Sequence, residues 1–301
     1  MTFLIEGKKI SNIISSNLEL RIGELKKKYN IKPKLVVIII GNNPASEVYV
    51  RNKQKKAEQI GIISEIVKLS IEITEDDLIK EIDKLNNDDK VSGILVQLPL
   101  PSHISEYNIV NQINKNKDVD CFNYSNIGKF FCDPSQCVFH PCTPAGCMHL
   151  LENTRKHFNI QGKKNAVIIG RSNIVGKPLF HLLLSNNYSV TMVHSKTKNI
   201  EEIVSQADVV MIAVGKLKLV KQNWIKKDAI VIDVGINRGE DGKLAGDADF
   251  DDIKDKALAI TPVPGGVGPM TIIFLMINTI NANLMQNNLP TIKVNSENEI
   301  I

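Results

Sequence analysis

One stretch constrains this chain more than any other: Asn165-Ala-Val-Ile-Ile-Gly170-Arg171-Ser172-Asn-Ile-Val175-Gly176-Lys-Pro178. An apolar run ends at Gly170, a polar turn follows, and Gly176-Lys-Pro178 leads into the apolar segment Leu179 to Leu184. That order predicts a strand, a tight turn and a helix N-terminus, which sets backbone N–H groups and a positive dipole end against a phosphate. The glycine pattern is G-x-S-x-x-x-G, a departure from the usual G-x-G-x-x-G, so its context matters. The context is a second strand, Ser189 to His194, which completes a βαβ unit of about the usual ~30 residues. A structural turn in some other α/β domain is the alternative.

The end of that second strand bears on which dinucleotide is held. A pocket for an unphosphorylated ribose places Asp or Glu about 20 residues past the glycines. Here the chain reads His194-Ser195-Lys196-Thr197, without an acid. Ser195 can hydrogen-bond a 2′-phosphate, Arg171 can offer a charge-assisted fork, and Lys196 adds a further cation. NADP is therefore expected over NAD, the alternative being ordinary solvated loop residues.

A chain of 301 residues, 43% of them hydrophobic, can bury a full core as two domains. Its formal charge of +4 comes from scattered lysines and implies no nucleic-acid footprint. No run reaches the ~18 apolar residues that a membrane span needs. The opening Met-Thr-Phe-Leu-Ile-Glu-Gly-Lys-Lys does not resemble a signal peptide, so a cytoplasmic protein is expected. Cys121 stands apart, and Cys132, Cys137, Cys142 and Cys147 then recur at every fifth residue. An odd count argues against a disulfide framework. With no C-x₂-C pair, and Pro141 and Pro144 interrupting, these are expected to be reduced thiols and no metal is expected.

The first 30 residues read as a helix, on the stripe Ile10, Ile13, Ile14, Leu18 and Leu20. Lys34 to Ile40 is a continuous apolar strand closed by the turn signal Gly41-Asn-Asn-Pro44. A helix from an N-cap near Ser46 to a stop at Gly61 follows. Next come a strand at 64–69, an amphipathic helix at 75–85 and a buried strand at 91–96. Strands alternating with helices predict a largely parallel sheet. Asp118 to Thr143 reads as an irregular loop crossing between domains, and Pro144 to His157 as a helix. After the βαβ unit, strands are expected at 208–213, 229–234 and 257–260. A buried helix then runs from Thr271 to Met285. The polar tail beyond Pro290 is expected to fray.

Several residues outside the glycine turn can do chemistry. Tyr49 and Lys53 lie four apart on one face of the second helix. A Tyr/Lys pair can hold and deliver protons, although a helix lysine is more often a solvated side chain. Gln97 ends a buried strand at the carboxyl edge, where open α/β sheets place ligands, and its amide can both donate and accept. It can equally serve as a cap at the strand end. Asp118 and Asp120 alternate on an extended segment, so either carboxylate can grip an N–H/N–H₂ edge; an exposed turn is the alternative. Pro262 to Pro269 carries enough Gly and Pro to lay bare backbone against a flat ligand.

Together these residues resemble the methylenetetrahydrofolate dehydrogenase/cyclohydrolase family. The matching segments are Ser46 to Lys53, Val96 to Pro101, Lys117 to Asp120, Pro141 to Pro144, Gly170 to Pro178, His194-Ser195 and Thr261 to Thr271. They run in the family's order and leave only the tail uncovered. The last segment is the most specific. The resemblance implies two α/β domains flanking a cleft, the second a Rossmann-type dinucleotide-binding domain. Residues 1–143 with 272–301 would form the folate-binding domain and 144–271 the NADP domain, usually in a homodimer.

By the same resemblance Lys53 is the central acid/base group, Tyr49 packs over the reacting carbon, Gln97 tunes Lys53 and Asp120 anchors the pterin. Val96, Leu98 and the loop Pro264, Gly265, Gly266, Val267 and Gly268 line the folate site. Gly170, Arg171, Ser172 and Ser195 hold NADP, with Ile236 beside the nicotinamide. The implied reactions are oxidation of 5,10-methylenetetrahydrofolate and hydrolysis of the methenyl product to 10-formyltetrahydrofolate, with tetrahydrofolate substrates as partners and neither nucleic acid nor membrane. Two departures stand out. Cys121 replaces the family's usual glycine, and Asn43 its usual aspartate. Two rival readings remain. One is a short-chain dehydrogenase, whose Tyr-x₃-Lys pair would follow the glycine turn. The other is a non-catalytic nucleotide- or metal-binding regulator resting on the cysteine series.

Overall fold

The computed structural model describes residues 2–162 and 164–301. In chain order the elements begin with β1 (Phe3–Leu4), α1 (Gly7–Tyr29), β2 (Lys34–Ile40), α2 (Pro44–Ile60) and β3 (Ile63–Leu69). Then come α3 (Glu75–Asn86), β4 (Gly93–Val96), α4 (Glu106–Gln112), α5 (Tyr124–Cys132) and α6 (Cys142–His157). They are followed by β5 (Asn165–Ile169), α7 (Gly176–Ser185), β6 (Ser189–Val193), α8 (Ile200–Val204), β7 (Val209–Ile212) and β8 (Ile230–Asp233). The last are β9 (Asn237–Arg238), β10 (Leu244–Ala245), α9 (Phe250–Ile253), β11 (Ala259–Ile260) and α10 (Val267–Gln286).

The chain forms two compact units: residues 13–140 with 272–301, and residues up to Asn12 with 141–271. The sequence reading put residues 1–12 with the first of these. They pack with the second because β1 joins its sheet, Phe3 opposite Ala259 and Leu4 opposite Ile260.

The first unit is built on a parallel sheet in the order β3-β2-β4. Its middle strand is apolar from Leu35 to Ile40 and buried from Leu35 to Ile39, as parallel strands require. Val36, Ile38, Ile94 and Val96 form one core cluster with Leu78 and Ile82 of α3. Burying each such side chain contributes about 1.5–3 kcal/mol. Thr74 starts α3 by accepting from Asp77 N.

Two stretches are more ordered than their composition suggested. The presumed crossing loop contains α5, capped by Asn123 Oδ1 accepting from Ser125 N, and a 3₁₀ turn at Pro134–Gln136. The tail beyond Pro290 folds into a small antiparallel bridge, Val294 opposite Ile300. Asn281 of α10 holds that tail, donating to Ile292 O at 3.0 Å and accepting from Ile292 N at 2.8 Å.

The second unit carries a six-stranded sheet in the order β1-β11-β8-β7-β5-β6, parallel at every pairing. Its strands β7 and β8 are fully buried, and residues such as Val167, Ile212 and Val231 share a core with Val204 and Ile253. The short hairpin β9–β10 lay outside the sequence reading. Helix α10 is long and apolar enough to cross a membrane, but 72% of its apolar stretch is buried inside the protein, as in a core helix.

Candidate active site

In the first unit, α2 starts one turn earlier than Ser46. Asn43 Oδ1 accepts from Ser46 N at 3.2 Å, with Pro44 as the first helical residue. Asn43, one of the two family departures, therefore acts as the cap. The α-helical period places Tyr49 and Lys53 on one face. Lys53 is 7% exposed, and its Nζ donates to Gln97 Oε1 at 3.0 Å. Gln97 sits just past the carboxyl end of β4. Its backbone N–H donates to Ile38 O at 2.9 Å, and its Nε2 to Leu98 O at 2.8 Å. The second bond fixes the amide with its oxygen toward Lys53.

Tyr49 is half-buried, and burial pushes its phenol above the ordinary tyrosine range, so it remains a neutral donor at physiological pH. Val96 is only 6% exposed and belongs to the apolar core, whereas Leu98 is half-buried.

The Asp118/Asp120 pair divides into two unlike groups. Asp118 is buried and is committed to its own loop. It accepts from Phe122 N at 3.1 Å, Asn123 N at 2.9 Å and Asn126 Nδ2 at 2.8 Å. Desolvation pushes its carboxyl up to about 6 despite those bonds. Asp120 is half-buried. Between them, Val119 O accepts from Asn278 Nδ2 of α10 at 2.8 Å, and the same amide donates to His140 O at 2.9 Å. Cys121 is fully buried at φ 60°, and its thiol faces Phe139 O at 3.5 Å. The left-handed conformation that favours glycine is thus adopted here by cysteine.

In the second unit, β5 ends in Gly170 at φ 123°. A Cβ there would lie 2.2 Å from Ala213 O, and one on Gly176 would lie 2.4 Å from Gly170 O, so the turn closes only with glycine at both places. Ser172 Oγ accepts from Val175 N at 3.2 Å and Gly176 N at 3.3 Å, which organises the start of α7. Arg171 and Ser172 are exposed beside that helix N-terminus. After β6, Thr197 N donates to His194 O at 2.8 Å in a tight turn that leaves Ser195 and Lys196 exposed. Positive φ at Gly170, an exposed arginine and serines, and no acid at 194–197 fit an anionic dinucleotide with a 2′-phosphate.

Ile236 follows β8 and is 41% exposed. Its Cδ1 would be 3.8 Å from a Cβ on Gly268, so it lies beside the glycine-rich loop. Within that loop Pro264 is exposed and Gly265 is at φ 104°, while a Cβ on Gly266 would lie 2.6 Å from Pro262 O. Val267 and Gly268 belong to the first turn of α10. All five cysteines are reduced, three of them buried. Among the described residues no three of His, Cys, Asp or Glu gather into a metal-ligand set.

Two family models cover most of the chain. The tetrahydrofolate dehydrogenase/cyclohydrolase catalytic domain matches residues 5–120, and the NAD(P)-binding domain of the same enzymes matches 141–287. The chain belongs to the tetrahydrofolate dehydrogenase/cyclohydrolase family. It is 56% identical to the bifunctional protein FolD of Wolbachia sp. subsp. Drosophila simulans (strain wRi), covering 95% of this chain and 97% of that protein. The crystal structure of the bifunctional enzyme FolD, methylenetetrahydrofolate dehydrogenase/cyclohydrolase, from Campylobacter jejuni is 44% identical, with a TM-score of 0.90 over 96% of this chain and 100% of that one. The Trypanosoma brucei dehydrogenase-cyclohydrolase, solved with NADP cofactor and an inhibitor, is 34% identical, with a TM-score of 0.88 over 94% and 98%. The Lys53–Gln97 bond lies within the stretch matched by the catalytic-domain model, and the glycine turn within the stretch matched by the NAD(P)-binding model.

Proposed function

We propose that this member of the tetrahydrofolate dehydrogenase/cyclohydrolase family oxidises 5,10-methylenetetrahydrofolate with NADP and hydrolyses the methenyl product to 10-formyltetrahydrofolate, with Lys53 as its acid/base group. The observation that carries the assignment is the Lys53 Nζ to Gln97 Oε1 bond of 3.0 Å on a lysine 7% exposed. NADP⁺, when bound, supplies the hydride acceptor. Gly170, Arg171, Ser172 and Ser195 hold it, and Ile236 packs against its nicotinamide.

The substrate carbon, having lost hydride, is a delocalised cation. Tyr49 lies over it, Asp120 anchors the pterin, and Leu98 with Pro264 to Gly268 lines the folate. Val96 contributes through its backbone, its side chain being part of the core. Water adds to the cationic carbon and gives up a proton to neutral Lys53, whose position Gln97 sets. Lys53 returns that proton to the ring nitrogen N5 as the bond from the carbon to N5 breaks, and the hydroxyl on the carbon gives up its own proton as the formyl C=O forms. The net change is addition of one water and release of one proton.

Lys53→Met removes the proton acceptor. Its hydrolysis of methenyltetrahydrofolate is expected to fall at least 100-fold while NADP⁺ still binds. An absorbance assay of methenyl decay, with NADP⁺ binding followed separately, measures both, and hydrolysis at the wild-type rate would overturn the assignment. The reading also includes a cytoplasmic homodimer. Edge strand β6, paired on one side only, offers a place for a second copy.

A further inference from the structure

Two buried carboxylates of the second unit, Asp233 and Asp247, take no part in the reaction as derived. Asp233 ends β8 and Asp247 follows β10. Their surroundings carry an inference about how the dinucleotide is held.

In the sheet, β5 lies between β6 and β7. The chain runs from β5 to one side and then resumes on the other. In open parallel sheets, the crevice outside the carboxyl ends of two such strands is where a dinucleotide lies. Its walls are the turn after β5, residues 170–172, and the loop after β7, residues 213–216. The two walls touch at Gly170 and Ala213.

The second wall has no secondary structure of its own. It is shaped by one carboxylate. Val214 N and Gly215 N donate to Asp247 Oδ2 at 2.7 and 2.9 Å, and Lys216 N donates to Oδ1 at 2.8 Å. Three successive N–H groups form an anion-binding nest, with Gly215 at φ 63°. Here the protein's own side chain fills it.

Asn237 Nδ2 also donates to Oδ1 at 2.9 Å. Asp247 is fully buried, and these four donors match the acceptor sites of a carboxylate. A Cβ on Gly235 would lie 2.2 Å from Asp247 Cγ, so the segment carrying Ile236 is drawn tight against the same group. Asp233 supports the arrangement by accepting from Gly235 N at 2.9 Å, Asp247 N at 3.2 Å and Ala248 N at 2.8 Å.

We propose that Asp247 is a positioning residue for the oxidation step: its carboxylate locks the loop 214–216 to the Gly235–Asn237 segment and so sets the shape of the dinucleotide crevice. The inference rests on the reading that puts NADP against Gly170 and Arg171. It predicts a split between the two activities, because hydrolysis of methenyltetrahydrofolate uses no cofactor. Asp247→Asn turns one acceptor into an N–H₂ group that faces N–H donors whichever way the amide lies.

The test varies NADP⁺ at saturating methylenetetrahydrofolate and separately follows hydrolysis of supplied methenyltetrahydrofolate without cofactor. Asp247→Asn is expected to raise the KM for NADP⁺ at least fivefold with hydrolysis within twofold of wild type. A smaller rise in KM, or a proportional fall in both activities, overturns the proposal. Should Asp247→Asn not fold, Asn237→Ala removes one donor; at least a twofold KM rise with unchanged hydrolysis is expected, and less than that overturns it. Arg171→Ala keeps the two readings apart. If it leaves NADP⁺ affinity unchanged, the crevice reading itself fails; if it alone weakens binding, only the role of Asp247 does.

Discussion

At the scale of single residues, the reacting group was more legible than its supports. Tyr49 and Lys53 follow from helical spacing, and Gln97 from its place at a strand end, because both rest on local periodicity. Asp118 and Asp120 look alike in sequence. Only the folded loop, which turns Phe122, Asn123 and Asn126 toward one carboxylate, separates a structural acid from its neighbour. Cys121 raises a sharper question, since a side chain at φ 60° costs about 1 kcal/mol relative to glycine. At this position Cys121→Gly should therefore be more stable than Cys121→Ala by about 1 kcal/mol, the reverse of the usual order in helices and strands. Urea melts of the two variants decide it. Equal midpoints would mean that the loop relaxes out of the left-handed region.

At the scale of elements, errors of the sequence reading cluster where a distant polar group does the organising. The strands and long helices announced themselves by apolar runs and period. Helix α5 did not, because it contains Asn126 and Gly128 and is started by a cap on Asn123. The tail did not either, because its partner is Asn281, buried in a helix that reads as apolar on most faces. Asn281→Ala strands the Ile292 N–H and C=O, which costs about 1–3 kcal/mol for each buried group left unpaired. Hydrogen exchange should then show loss of protection at Ile292 and faster exchange across 290–301, with β2 and β4 unchanged. Protection retained at Ile292 would show that the tail is held by something else.

At the scale of the whole molecule, each unit keeps a buried acid whose titration links stability to pH. Burial pushes Asp118 up to about 6 in one and Asp233 up to about 7 in the other. Both folded values lie above the unfolded value near 3.9. The folded state therefore holds more protons in this range, and the contribution of each acid is full below about pH 4 and lost as pH rises through its folded value. Buried His140 works in the opposite sense, since burial lowers it. The acids are isolated by comparison: Asp118→Asn should flatten melting temperature against pH chiefly below pH 6, and Asp233→Asn up to about pH 7. Variant curves parallel to wild type would remove these groups as the cause.

The pairing of β1 with β11 has a consequence for biosynthesis. Phe3 is made some 250 residues before its partner Ala259. The other unit waits still longer, because Val119 O is met by Asn278. Neither half can finish folding while the nascent chain is still short. Each must hold its earlier segments in reserve until α10 emerges, which makes the interval before that helix is made the one when this enzyme most needs shielding from aggregation.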